Sequence, residues 1–210
     1  MHTSNIINHA IEMLKCYDPV MSEIIDAVGK CKLVKKENLY LSLIGSVLSQ
    51  QLSGRVAEVI FSNLSNGLSH HITPESVLNL THLQFRGFGI SSAKESYIRG
   101  ISEKFFLNSH FLSDLDTLND NEVLSQLTAI RGVGLWTAQM FMIFSLNRLD
   151  IFPLHDVSIR RGISKLYFNG KTASDKEIIG ISEKWKPYRS IAVWYIWRKM
   201  DGKPKGPIQA

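Results

Sequence analysis

Three short stretches carry side chains whose type and spacing could do chemistry. Arg131-Gly132-Val133-Gly134 sets two glycines around a valine, just ahead of an apolar run that ends at Leu146. Read as a tight turn opening a helix, it aims unpaired N–H groups and the positive end of a helix dipole outward. That is an anion site suited to a phosphate, and one that reads no base sequence. A plain helix–helix corner with a glycine stop has the same letters. Two residues on stands Trp136, whose π face can stack on a flat ring and attract a cationic one. Further along, Asp156 precedes Val157-Ser158-Ile159-Arg160-Arg161 at an expected helix start. A carboxylate there can cap the helix with no further function, and the dipole favours its ionised form.

Helices must position these groups, because the pattern is helical nearly throughout. Asp18-Pro19 and Thr73-Pro74 read as caps followed by proline in the first turn. Leu41 to Leu64 reads as one long amphipathic stretch, bent or broken near Gly54. Asn119-Asp120 opens a helix through Leu127, and Gly134 to Leu146 is apolar enough to be a buried one. Ser174-Asp175 and Lys186-Pro187 are expected to start the last two, and Gly202 to Ala210 reads as a loose tail. No segment alternates with period two, so the expected class is all-α.

Bulk properties narrow the setting. The 210 residues suffice for one large domain or two small lobes. Apolar runs such as Met140 to Phe144 are too short to span a bilayer, and Met1 to Leu14 has no basic-then-apolar signal pattern. Two cysteines, Cys16 and Cys31, suggest neither a disulfide framework nor a metal cluster. The expectation is an intracellular protein. Charge is unevenly spread. Residues 1–150 hold 12 Lys/Arg against 14 Asp/Glu, a balance of −2, while residues 151–210 hold 12 against 5, a balance of +7. A basic segment of that kind suits a polyanion, although many solvated surfaces are basic without binding one.

The motif Leu127-x-x-Ile130-x-Gly132-Val133-Gly134-x-x-Thr137-Ala138 resembles the helix-hairpin-helix of the HhH-GPD DNA glycosylase superfamily. Asp150 to Arg160 resembles the Pro-containing segment and catalytic Asp that follow the hairpin there. Leu48-Ser-Gln50-Gln51-Leu52-Ser53 and Gly89-Ile90-Ser91-x-x-Lys94 match two more landmarks. Trp185 to Trp197 resembles the last helix of the DNA-3-methyladenine glycosylase II branch. The resemblance runs over about residues 10 to 200 in the family's order, leaving no room for a separate N-terminal β domain. It implies a two-lobed helical fold with the active-site cleft between lobes. Residues 1–40 with 151–210 would form one lobe, and residues 41–150 the other, carrying the hairpin at about 124–146.

The same resemblance implies roles. Asp156 becomes the catalytic carboxylate, stabilising positive charge on the sugar as the N-glycosidic bond breaks, and able to orient water. Asp150 is out of register and reads as structural, and His155 as non-catalytic. Trp136 stands where the lyase branch has the lysine that attacks C1′, which indole cannot do. It would instead stack on an everted, positively charged alkylated base, with Met140 and Trp197 lining the pocket. Arg131, Gly132, Val133, Gly134 and Thr137 would hold DNA phosphate, with a monovalent Na or K ion on the carbonyls of Thr128, Ile130 and Val133. Gln51, Leu52 and, on the opposite strand, Ile90 are the wedge candidates that fill the gap left by the base. No iron–sulfur cluster is expected, since its four cysteines are missing.

The expected function is therefore monofunctional excision of alkylated bases of the 3-methyladenine and 7-methylguanine type from double-stranded DNA, by a monomer. A non-catalytic hairpin protein and a glycosylase/lyase for oxidised bases are the alternatives. Base release by an Asp156→Asn variant separates the first, and a borohydride-trapped DNA adduct the second.

Overall fold

The structure, a computed structural model, describes residues 3–108 and 110–201, so the tail from Gly202 lies outside it. Thirteen helices and no strand occur among the described residues. They are α1 (Thr3–Tyr17), α2 (Pro19–Val28), α3 (Leu39–Ser49), α4 (Gly54–Gly67), α5 (Pro74–Leu78), α6 (His82–Gly87) and α7 (Ser92–Leu107). They continue with α8 (Phe111–Thr117), α9 (Asp120–Thr128), α10 (Leu135–Phe144), α11 (Val157–Tyr167), α12 (Asp175–Glu183) and α13 (Arg189–Asp201). No helix is long and apolar enough to cross a membrane.

Local signals set most of the starts. Asp18, Asn38, Ser53, Thr73, Thr81, Ser91, Asn119, Asp156 and Ser174 each accept a first-turn N–H through the side chain. Each such cap stabilises its helix by about 1 kcal/mol. The stretch from Leu41 to Leu64 is two helices, broken over residues 50–53, because Ser53 caps a new helix and Gln51 turns left-handed at φ 57. The last helix starts at Arg189, later than Lys186-Pro187 suggested. Its first N–H groups are claimed by the segment before Asp156: Arg189 N–H donates to Asp150 Oδ1 at 3.3 Å and Ser190 N–H to Leu149 O at 2.9 Å.

The described residues form two compact units, residues 3–35 with 147–201 and residues 36–108 with 110–146. The sequence reading had the joints at 40/41 and 150/151. They fall earlier, where Lys36 N–H donates to Ser145 O at 3.0 Å and ties the entering and leaving segments of the second unit together.

In the first unit α13 is the centre. It packs on α1, α2 and α11, and Ile191 through Trp197 are all buried. Gly162 of α11 faces Ile196 and Met200 of α13, and a methyl group at 162 would collide with Ile196. That missing side chain lets the two helices approach closely. Asp18 anchors the other side. One carboxylate oxygen caps α2 through Met21 N–H at 3.1 Å, and the other accepts Tyr167 Oη and Trp185 Nε1, each at 2.8 Å.

In the second unit α3 is the central helix, with Leu39 to Leu48 apart from Leu41 buried, packed on α4, α7 and α10. Its Tyr40 hydroxyl pairs with Ser102 Oγ of α7 at 2.7 Å, and burial pushes the phenol up to about 12. Nearby, Glu95 of α7 meets His82 at 2.6 Å and Arg99 at 3.0 Å. Burial alone would raise its pKa, but the bonds from Arg99 and His82 outweigh it and hold the carboxyl below its usual range.

Candidate active site

The Gly-Val-Gly turn joins α9 to α10 within the second unit. Ile130 N–H donates to Leu127 O at 3.1 Å and Val133 N–H to Ile130 O at 3.0 Å, closing the corner. Gly132 sits at φ 87, and a Cβ there would run into the Tyr97 ring. A positive φ and a ring packed against the backbone thus coincide at this one residue. Gly134 has neither: its φ is −77 and a Cβ there has open space. It is the N-cap of α10, with no side chain to cap it. A helix start of this kind, with no side-chain cap, is the arrangement in which first-turn N–H groups can meet an anion.

The other hairpin residues divide by exposure. Arg131, Gly134, Leu135 and Trp136 face solvent, Trp136 being 44% exposed. Val133 and Thr137 are buried. The hydroxyl of Thr137, a residue expected at a phosphate, accepts Gln50 Nε2 at 3.1 Å. Val133 can offer only its backbone. Met140, one turn beyond Trp136, is buried as well.

Replacing Gly132 is expected to be costly. Gly132→Ala needs both a disfavoured backbone angle and displacement of Tyr97, together on the order of 2–3 kcal/mol. Urea unfolding should show that loss, and fluorescence anisotropy should show DNA binding weakened at least about tenfold, since the turn's shape is the grip. Unchanged stability and binding would mean the turn tolerates another geometry.

The wedge candidates also separate. Gln51 is exposed and left-handed, and Leu52 is 38% exposed, both in the loop between α3 and α4. Ile90 is 1% exposed, packed into the core of its unit. Its side chain does not protrude, because a sequence position gives the order of the chain and not the direction of a side chain.

Asp156 belongs to the first unit. It caps α11, with Oδ1 accepting Ile159 N–H at 2.8 Å and Trp197 Nε1 at 3.2 Å. The residue is only 8% exposed, and Trp197 is buried too. A buried carboxylate needs such donors, and a helix N-terminus adds its positive end. The segment leading to it is fixed from α13. Arg189 holds the Asp150 carboxylate at 2.7 and 2.9 Å and the Asp150 carbonyl at 3.0 Å, and Ile151 N–H donates to Ser190 Oγ at 2.9 Å. Asp150 is therefore consumed by structure. His155 is exposed. The sequence reading placed Trp197 in a pocket wall and missed its bond to Asp156, which spans 41 residues. The capping of Asp156 was readable locally, and the indole donor was not.

This geometry can hold a carboxylate oriented in a protected place, and separately present an uncapped helix start beside an exposed indole. The chain matches the description "HhH-GPD superfamily base excision DNA repair protein" over residues 44–187, and it belongs to that superfamily. Among its relatives, DNA-3-methyladenine glycosylase 1 of Schizosaccharomyces pombe is 33% identical, over 79% of this chain and 74% of that one. The crystal structure of a DNA-3-methyladenine glycosidase from Bacillus halodurans superposes with a TM-score of 0.84 at 32% identity, covering 91% of this chain and 89% of the other. The S. pombe 3-methyladenine DNA glycosylase Mag1, solved in complex with abasic DNA, superposes with a TM-score of 0.74 at 30% identity, covering 94% and 100%.

Proposed function

We infer that this chain is a monofunctional DNA glycosylase that removes alkylated bases of the 3-methyladenine type and so begins base excision repair. The observation that carries the reading is Asp156, a buried N-cap carboxylate with an indole donor, in a chain whose relatives include 3-methyladenine glycosylases.

The chemistry follows from charge. Breaking an N-glycosidic bond leaves positive charge at C1′ and on the ring oxygen of the sugar. A preorganised carboxylate stabilises that charge without reorganising, and can accept a proton from the attacking water. A base alkylated at a ring nitrogen already carries positive charge and leaves as a neutral molecule, so no strong general acid is required. Trp136, 44% exposed, supplies the indole that stacks on such a base. Trp197 acts through the carboxylate it bonds rather than as a free wall.

DNA is the macromolecular substrate. The uncapped start of α10, with Arg131 exposed beside it, suits one backbone phosphate. The carbonyls of Thr128, Ile130 and Val133 share that turn. They are neutral oxygens of the kind that hold a monovalent cation, and the one bond Ile130 O accepts leaves a second lone pair. A bound Na or K ion would add positive charge beside the phosphate. The protein acts on double-stranded DNA as a monomer.

Incubating the chain with DNA methylated at ring nitrogens, then chromatographing the released bases, tests the reading directly. Release of 3-methyladenine or 7-methylguanine above the enzyme-free background is expected, and its absence would overturn it. Trp136 has no amine, so borohydride added during turnover should leave no covalent DNA adduct. A trapped adduct on a denaturing gel would instead indicate lyase chemistry.

A further inference from the structure

The loop of residues 50–53 is held from two sides by bonds that no role given so far uses. From α7, Lys94 Nζ donates to Leu48 O at 2.6 Å and to Gln50 O at 3.0 Å. These carbonyls lie at the C-terminal end of α3, where the helix dipole is negative and a cation fits. From the hairpin side, Gln50 Nε2 donates to Gly132 O at 2.9 Å and to Thr137 Oγ1 at 3.1 Å. Gln50 is thus tied by its carbonyl to α7 and by its side chain to the Gly-Val-Gly turn.

The next residue, Gln51, holds φ 57, an angle that non-glycine residues keep only where their surroundings enforce it. Leu52 N–H closes the turn on Ser49 O at 3.2 Å. Lys94 is also an unusual lysine. Its partners are two neutral carbonyls rather than a carboxylate, and burial lowers its pKa. Its ammonium is turned into the protein instead of outward to a phosphate.

We propose that Gln50 and Lys94 are positioning residues that set Gln51 and Leu52 in fixed register with the hairpin, so that phosphate capture and insertion into the duplex act as one rigid jaw. This rests on the reading of the hairpin as the phosphate site and of Gln51–Leu52 as the wedge. Neither Gln50 nor Lys94 touches the reacting atoms. Each works through the loop, and a loosened loop would insert slowly while the hairpin still bound DNA.

Single-turnover excision from a defined alkylated duplex tests the proposal, with 2-aminopurine beside the lesion to follow eversion and anisotropy to follow affinity. Lys94→Met and Gln50→Ala should each slow excision about tenfold, with the 2-aminopurine rise slowed in step and affinity for undamaged DNA altered less than about twofold. Gln50→Ala reaches the loop from the opposite side with Lys94 intact, which keeps the test decisive if Lys94→Met folds poorly. Lys94→Arg, which retains the charge and donors, should recover most of the rate. The decisive comparison adds Lys94→Met to a wedge variant, Gln51→Ala with Leu52→Ala. The combination should be no slower than the wedge variant alone. If the two effects multiply, Lys94 acts elsewhere and the positioning role is overturned while the wedge reading stands. If Lys94→Met and Gln50→Ala both leave the rate unchanged, the role is likewise overturned. If the wedge variant itself excises and everts normally, the wedge reading falls and the positioning role falls with it.

Discussion

Asp156→Asn is expected to release alkylated bases at least a hundredfold more slowly than the wild type, with the fold intact. The substitution changes charge and little else. Asn is as good an N-cap as Asp, and its amide oxygen can still accept from Ile159 N–H and Trp197 Nε1. What disappears is the negative charge facing a sugar cation, the kind of preorganised electrostatic stabilisation whose loss costs factors of about 10²–10³ in rate. Thermal unfolding should move by only a few degrees, and DNA binding should persist, because the hairpin belongs to the other unit. The measurement is single-turnover release of 3-methyladenine, by chromatography. Full activity in Asp156→Asn would remove the enzyme mechanism and return the residue to a simple cap.

The largest effect on stability is expected at Asp18. Its two carboxylate oxygens serve three donors: Met21 N–H, Tyr167 Oη and Trp185 Nε1. The residue is 2% exposed, and Trp185 is fully buried. Asp18→Ala removes a cap worth about 1 kcal/mol. It also strands a phenol and an indole N–H, at about 1–3 kcal/mol for each buried donor left unmade. A total near 4 kcal/mol is expected, or a midpoint lowered by roughly 10 °C for a chain of this size. Burial and the Asp18 charge both push the Tyr167 phenol far above its ordinary range, so it remains a donor at all working pH values. Trp185→Phe, which strands no donor and leaves the Tyr167 bond in place, should cost clearly less. Calorimetry or urea titration checks both. A loss under about 1 kcal/mol for Asp18→Ala would show that water or a rearranged side chain takes over the three bonds.

Asp18 and Asp156 also mark what the sequence could reveal. Each stands before a helix, and each was legible as a cap because capping depends on residues three apart. The second half of each story was hidden. Tyr167, Trp185 and Trp197 reach these carboxylates across 149, 167 and 41 residues, and no local pattern encodes such meetings. The helical class followed from periodicity, and the hairpin from its glycines, of which Gly132 alone needs to be one on backbone grounds. Ile90 and Thr137 show what a motif leaves out. A motif fixes position along the chain, whereas exposure depends on which neighbours close over a side chain, and both are closed over. Gln50 and Lys94 were visible as landmarks, but their joint hold on one loop needed coordinates.

Gly162 has a consequence for anyone who would transplant this chemistry. The indole of Trp197 meets the Asp156 carboxylate because α11 and α13 lie near enough, and they do so because residue 162 has no side chain to hold Ile196 off. Grafting an aspartate and a tryptophan onto two helices of ordinary spacing would copy the letters and lose the bond. The portable unit is a gap of one methyl group, located six residues downstream of the acid it serves.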